Sequence, residues 1–420
     1  MRGIRSLLLR ASHRIGVWLG RAFSRNRAGT VGLTVTSSPP PADDTKGRFD
    51  HLLPPESSKT IPLTETCRGL YRNKVVLISG AGGSIGSALA KQVMTCHPAQ
   101  VILLELNEFA LYEVNRSLES GAGKAGIVIT PVLGSVADPR TVRRIFEKHQ
   151  VHVVLHAAAY KHVPLVEANP MVGLVNNVFG TQTLAEQAAY AGVERFILLS
   201  SDKAVRPANV MGASKRLAEF VVLDLSRRDG QSTAFSLVRF GNVIGSSGSV
   251  VPLFQEQIAR GGPVTVTHPK VERYFMTVQD ATHMVLEAGA RAHGGEVFLP
   301  DMGTPVRIDM LARRMIEGAG QQVDDQKRPN SGIEVVYTGL RPGEKLVEEL
   351  SLSTQKIPTD HPRVFSAIER GLTEVQTATA LRALKEAFLA NNEQMAADVI
   401  AQWVEGPRAP PQQDAMRRTS

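Results

Sequence analysis

The chain has 420 residues, of which 43% are apolar, 21% charged and 5% aromatic. That is enough to bury a sizeable core, and no run of 18 uncharged apolar residues offers a membrane-spanning helix. The formal charge of +8 belongs to one end: residues 1–42 hold seven arginines and no Lys, Asp or Glu, so the rest is nearly neutral, which argues against a nucleic-acid partner for the folded body.

Residues 1–34 form a basic amphipathic segment. Over 4–23, Ile4, Leu8, Ile15, Trp18, Leu19 and Ala22 share one broad side, with Arg10, Arg14, Arg21 and Arg25 beside it. Two readings stand: a peripheral contact of residues 1–27 with the headgroups of an anionic membrane, or an unprocessed or disordered leader. Arginine interrupts the apolar stretches too often for a secretory signal. Residues 35–70, with Ser38-Pro-Pro-Pro41 and Pro54-Pro55, read as a linker. Cys67 and Cys96 lack metal-ligand or CxxC spacing and read as ordinary thiols of a reducing cytoplasm.

From residue 71 the pattern alternates. Val75–Ser79, Val101–Leu104, Ile127–Leu133, Val151–Leu155, Phe196–Ser200 and Phe235–Val238 are short apolar runs, most of them separated by helical patterns. Strands buried on both faces and alternating with helices predict an α/β fold, a Rossmann-type doubly wound parallel sheet over 71–240. A smaller C-terminal substrate-binding lobe with returning Rossmann elements is expected over 241–355, a helical region over 356–406, and a disordered tail over 407–420.

The first run leads into Gly80-Ala-Gly-Gly83-Ser84-Ile85-Gly86, a GxxGxxG turn between a strand and a helix start. Gly80 permits the tight turn, Gly83 lets the backbone approach a pyrophosphate, and Gly86 lets helix and strand pack closely; the helix N-terminus offers free amides to the phosphates. Glu105 ends the second strand about 20 residues on, where a carboxylate accepts from ribose hydroxyls and repels a 2′-phosphate. This favours NAD over NADP, with Asn107 or Glu108 able to serve instead.

Six further stretches occur in order: His156-Ala157-Ala158-Ala-Tyr-Lys161-His-Val-Pro, Ser201-Asp202-Lys203-Ala-Val, Met211-Gly-Ala-Ser-Lys215-Arg, Arg239-Phe-Gly-Asn242-Val-Ile-Gly-Ser, Arg273-Tyr-Phe-Met and Gly339-Leu-Arg341-Pro-Gly-Glu344-Lys. With them, residues 72–352 strongly resemble the UDP-N-acetylglucosamine 4,6-dehydratases of bacterial polysaccharide and protein-glycan synthesis. These form a branch of the extended short-chain dehydrogenase/reductase superfamily. Most of that superfamily carries Tyr-x-x-x-Lys; here Met211 stands in the tyrosine's place and cannot exchange a proton. The family's large membrane-linked members share this methionine.

The resemblance implies a UDP-sugar substrate, no metal, a cytoplasmic enzyme, and a homo-oligomer joined by a helix bundle over 177–191 and 211–228; a place at the inner face of the membrane would follow only from the first reading of the basic segment. It makes Asp202 the acid and Lys203 the base of carbon-5/carbon-6 dehydration, each against its ordinary protonation near pH 7. It gives Ser201 to the sugar 4-hydroxyl and Lys215 to the nicotinamide ribose, while Asn177 braces the active-site helix. Lys161, Asn242, Arg273, Arg341 and Glu344 fall to the sugar nucleotide, with guanidinium forks matching the diphosphate; His162 is the weakest candidate. Ala157 and Ala158 line the cofactor. Ser135 stands where Gly-Asp is usual, leaving a serine to meet adenine. Many relatives also carry several membrane helices and an extra N-terminal domain; the expectation here is that the basic helix substitutes as a surface anchor.

Overall fold

A computed structural model describes residues 62–324, 332–352, 355–369 and 371–405, all within one compact unit, Thr45–Ser420. The basic segment, most of the linker and the tail lie outside the described residues. The six apolar runs form β1 (Val75–Ser79), β2 (Gln100–Glu105), β3 (Val128–Leu133), β4 (Val153–His156), β5 (Arg195–Ser201) and β6 (Ala234–Phe240). β7 (Glu296–Pro300), β8 (Ile357–Pro358) and β9 (Val364–Ile368) complete a nine-stranded sheet in the order β8-β9-β7-β6-β5-β4-β1-β2-β3. β1 to β7 run parallel, and β9 lies antiparallel to both β7 and β8. The order reverses between β1 and β4, the switch point outside which open α/β sheets bind ligands.

Period-2 alternation splits β1 between two apolar layers. Val76 and Ile78 pack with helices Ser84–Met94, Glu108–Ala125 and Val278–Ala290, whereas Leu77 faces the layer of Pro139–Lys148, Gly180–Tyr190 and Val210–Leu225. β3 departs from the expectation of burial on both faces. It is the sheet edge, largely open to solvent, and tolerates Pro131 because an edge strand need not use every N–H. A separate core around Phe254, Val264, Leu311 and Ile316 makes the second lobe, with a three-stranded sheet of Val323–Asp324, Ile333–Tyr337 and Val264–Val266.

The region expected to be helical, 356–406, opens with β8 and β9 and only then forms helices Glu374–Leu389 and Glu393–Ile400. Leu384, Ala387, Ala396, Val399 and Ile400 pack on Ala213, Leu217 and Phe220 of helix Val210–Leu225. That helix is buried from Met211 to Leu225 within a single chain. Ala213, Leu217 and Phe220, on a helix expected in a subunit bundle, are thus covered by the chain's own C-terminal helices. Among the described residues no helix is long and apolar enough to cross a membrane.

Candidate active site

The C-terminal ends of β1 to β4 meet at one cleft. Gly80 has φ +65°, and a Cβ there would lie 2.7 Å from the Ala158 backbone; at Gly86 it would lie 2.0 Å from the Gly80 carbonyl oxygen. The loop is therefore pressed against the β4 turn at a spacing that side chains would destroy. Gly83 is the N-cap of helix Ser84–Met94 and supplies no side-chain hydrogen bond to its first-turn amides. Glu105 reaches back from β2: Oε2 accepts from the Gly82 amide at 2.9 Å, and Oε1 from the Leu106 and Asn107 amides, both at 2.9 Å. Ser135 and Ala158 line the same groove as Glu105, while Ile85, Ala157 and Lys161 line an adjoining cavity of ≈ 480 Å³. Backbone amides at a helix start, a carboxylate at the end of β2 and a small-residue wall fit a dinucleotide.

β5 ends in the 3₁₀ turn Asp202–Ala204. Ser201 caps it, accepting from the Lys203 amide at 3.1 Å and donating to Asp202 Oδ1 at 2.9 Å. Lys203 Nζ donates to the same Oδ1 at 2.9 Å and to Asn242 Oδ1 at 3.2 Å. Asp202 is fully buried, and its Oδ2 finds no hydrogen-bond partner among the described residues. The pair thus combines a buried carboxylate, half of it idle, with an ammonium that keeps 24% of its side-chain surface exposed.

Helix Val210–Leu225 starts beside this turn. Its N-cap Asn209 accepts from the Gly212 amide at 2.8 Å, and Glu167 Oε1 takes the Val210 amide at 2.5 Å. Met211 is buried in the first turn. One turn later Lys215 Nζ donates to the Leu199 carbonyl at 2.6 Å; burial pulls its amine down to about 8, against the opposing field of Glu219. His156 at the end of β4 lies between Ser79 and Thr181, at 2.6 and 2.9 Å. Burial and the nearby Lys215 charge push it down to about 3, so the imidazole is neutral.

Asn177 lies in the π-helical turn Val175–Phe179. It binds both backbone groups of Tyr160 and donates to Ser214 Oγ at 2.8 Å, tying the β4 loop to the Lys215 helix. Lys161 follows, exposed and without a hydrogen-bond or ion-pair partner among the described residues. His162 packs against Gly248 and caps the short helix Val163–Ala168.

The residues assigned to the sugar nucleotide separate into two groups. Asn242 turns toward Lys203, beside the Asp202–Ala204 turn. Arg273 and Glu344 form a second centre: Arg273 Nη2 lies 3.4 Å from Glu344 Oε1, which also accepts from Thr267. Glu344 Oε2 takes the Arg341 amide at 3.2 Å, and the Arg341 side chain is exposed.

A family model described as "Polysaccharide biosynthesis protein" matches residues 76–369. The chain belongs to that family. Among this family's proteins, "Capsular polysaccharide biosynthesis protein CapD" of Staphylococcus aureus is 44% identical over 320 residues, covering 76% of this chain and 51% of CapD. The chain thus spans about half the length of CapD. "UDP-N-acetylglucosamine 4,6-dehydratase (inverting)" of Campylobacter jejuni is 32% identical over 282 residues, 66% of this chain and 78% of that protein. A "UDP-glucose 4-epimerase" of Rickettsia massiliae is 32% identical over 302 residues, 71% and 84% of the two chains. The X-ray structure of Pen from Bacillus thuringiensis matches with TM-score 0.64 at 31% identity, covering 72% of this chain and 92% of that one.

The chain also holds a charged cluster that sequence reasoning missed. Arg239 on β6, fully buried, donates to both oxygens of Glu219 at 2.7 Å and to Glu369 at 2.6 and 2.9 Å. Arg216 bridges the same two carboxylates at 2.9 and 3.2 Å, and Ser200 Oγ adds a bond to Glu219 at 2.5 Å. Burial alone would raise Glu219; the two guanidinium groups hold it down to about 2. Arg239 stands in a stretch quoted above, but its partner Glu369 lies 130 residues away, beyond any spacing signal. Among the described residues no group of three or more His, Cys, Asp or Glu could hold a metal ion.

Proposed function

We propose that this chain dehydrates a nucleotide-activated hexose, UDP-N-acetylglucosamine first, to a 4-keto-6-deoxy sugar for bacterial surface polysaccharide or glycan synthesis. The observation that carries the reading is the Asp202–Lys203–Asn242 cluster at the end of β5, beside a helix where Met211 replaces a proton-exchanging tyrosine. A bound NAD would accept hydride from carbon 4 and return it at carbon 6. Glu105, fixed by three amides, favours NAD over NADP by its charge.

The chain's own groups supply the proton chemistry. Ser201 holds the sugar 4-hydroxyl, and the Lys215 ammonium favours its alkoxide. A 4-keto group acidifies carbon 5, from which Lys203, as the base, takes the proton. Asp202, as the acid, gives its proton to the carbon-6 hydroxyl, which leaves as water. As hydride returns to carbon 6, Lys203 gives a proton, exchanged with solvent, back to carbon 5, and the proton that left the 4-hydroxyl on its oxidation makes good the one Asp202 gave to the departing water. Asn242, whose side-chain oxygen accepts from Lys203 Nζ, steadies the amine through this cycle.

An epimerase reading draws on the Rickettsia relative, but inversion at carbon 4 alone gives Lys203 and Asp202 no carbon-5 task. A nucleotide-binding protein without turnover is the third reading. Incubation with UDP-N-acetylglucosamine in deuterated water, followed by NMR and mass spectrometry, separates them. Loss of one water with solvent deuterium at carbon 5 is expected. Inversion without water loss would select the epimerase, and NAD bound without turnover the third reading. Peripheral membrane contact through residues 1–27 is part of the proposal; liposome binding unchanged after deletion of residues 1–40 would remove it.

A further inference from the structure

The segment Gly339–Glu349 touches both centres of the site. On one side Glu344 binds Arg273 and the Arg341 amide, the Glu272 amide donates to the Leu346 carbonyl at 2.9 Å, and Arg273 Nη1 donates to the same carbonyl at 3.1 Å. On the other side Asn209, the N-cap of the Met211–Lys215 helix, donates to the Gly343 carbonyl at 3.0 Å, and Gly343 sits tight against Ala208. Lys345 Nζ donates to the Val205 carbonyl at 2.7 Å. Val205 is fully buried, and its amide closes the Asp202 turn at 3.1 Å. The next residue, Arg206, has φ +42°, a conformation that L side chains rarely adopt, and pairs with Glu349 of the same segment. The Lys345 charge is balanced by the buried Glu348 at 3.6 Å.

We infer that Gly339–Glu349 couples anion binding at Arg341 and Arg273 to the geometry of the Asp202–Lys203 turn, and that Lys345 is the positioning residue at the joint. The inference rests on the dehydratase reading and extends it. A diphosphate on Arg341 and Arg273 would hold the segment from one side, and Lys345, Asn209 and Glu349 pass that constraint to the backbone that carries the acid and the base. A turn held in a rare backbone conformation keeps it only while its surroundings fix it. Misplacing a proton-transfer group by a fraction of an ångström costs rate rather than affinity.

The test uses the full chain. Lys345→Met alone would leave Glu348 buried without its cation and risks misfolding, so Lys345→Met with Glu348→Gln removes both charges, and Lys345→Arg keeps a donor. The double variant is expected to lose about tenfold or more in kcat, the scale of one lost hydrogen bond at a reacting centre. KM and UDP affinity by calorimetry should stay within about threefold, with carbon-5 deuterium exchange falling alongside kcat. Lys345→Arg should recover most of the rate. Wild-type kcat in the double variant overturns the inference, as does UDP affinity falling in step with kcat. A wild-type chain that neither releases water nor exchanges deuterium overturns the dehydratase reading itself, and this inference with it.

Discussion

Two charged clusters share the Ser200–Lys203 end of β5 and face opposite demands. In the Arg239–Glu219–Glu369–Arg216 quartet every carboxylate oxygen has a cationic partner or a hydroxyl, and the two positive and two negative charges balance inside the protein. The Asp202–Lys203 pair, two residues beyond Ser200, has a buried oxygen without a hydrogen bond among the described residues and an ammonium at the cleft. A saturated network has no lone pair or proton to spare, so it fixes geometry. An under-satisfied pair keeps both available, which is what proton transfer to a substrate needs. Chemical composition does not separate the two clusters; the degree of satisfaction does.

The largest expected effect falls on the unsaturated pair. Lys203→Ala should lower water loss and carbon-5 exchange by about 10²–10⁴-fold, the usual contribution of a positioned base. A rate within tenfold of wild type would remove Lys203 from the base's role. The quartet should respond the other way. Glu219→Gln leaves Arg239 and Arg216 with one carboxylate between them and should cost about 3–5 kcal/mol in urea unfolding. Asp202→Asn should cost rate and little stability. Equal stability losses in the two variants would erase the distinction between the clusters.

Titration sharpens the same contrast. Lys215, held near 8 by burial, acts as an ammonium, so kcat should fall as pH rises through about 8. A flat rate from pH 7 to 9.5 would mean that its charge is not used. His156 lies below its ordinary value of 6.5, at about 3. The unfolded chain takes up that proton first, so its contribution to stability is whole above 6.5 and is lost as pH falls toward 3. His156→Asn should flatten the acid limb of a urea-stability profile. The smallest effect belongs to Asn209: Asn209→Ala removes a helix cap worth about 1 kcal/mol, read as a shift in the urea midpoint.

The glycine loop, the carboxylate ending β2, the six parallel strands and the Ser201–Lys203 turn were all legible in the sequence. Each is written within a few residues: an apolar run of strand length, a glycine where φ is positive, an acid where a strand stops. The local rule failed at β3, where position at the sheet edge, not composition, decided exposure. Tertiary structure alone decided the rest. It set Glu369 against Arg239, Lys345 against the Val205 carbonyl, Glu167 at the start of the Lys215 helix, and the C-terminal helices over helix Val210–Leu225. These partners lie 43 to 140 residues apart along the chain or belong to apolar helices with several faces to pair. Short-range spacing determines which element forms and where its chemistry points. Which distant charge or apolar face meets it depends on how the layers pack, a choice made by the summed burial of the whole chain.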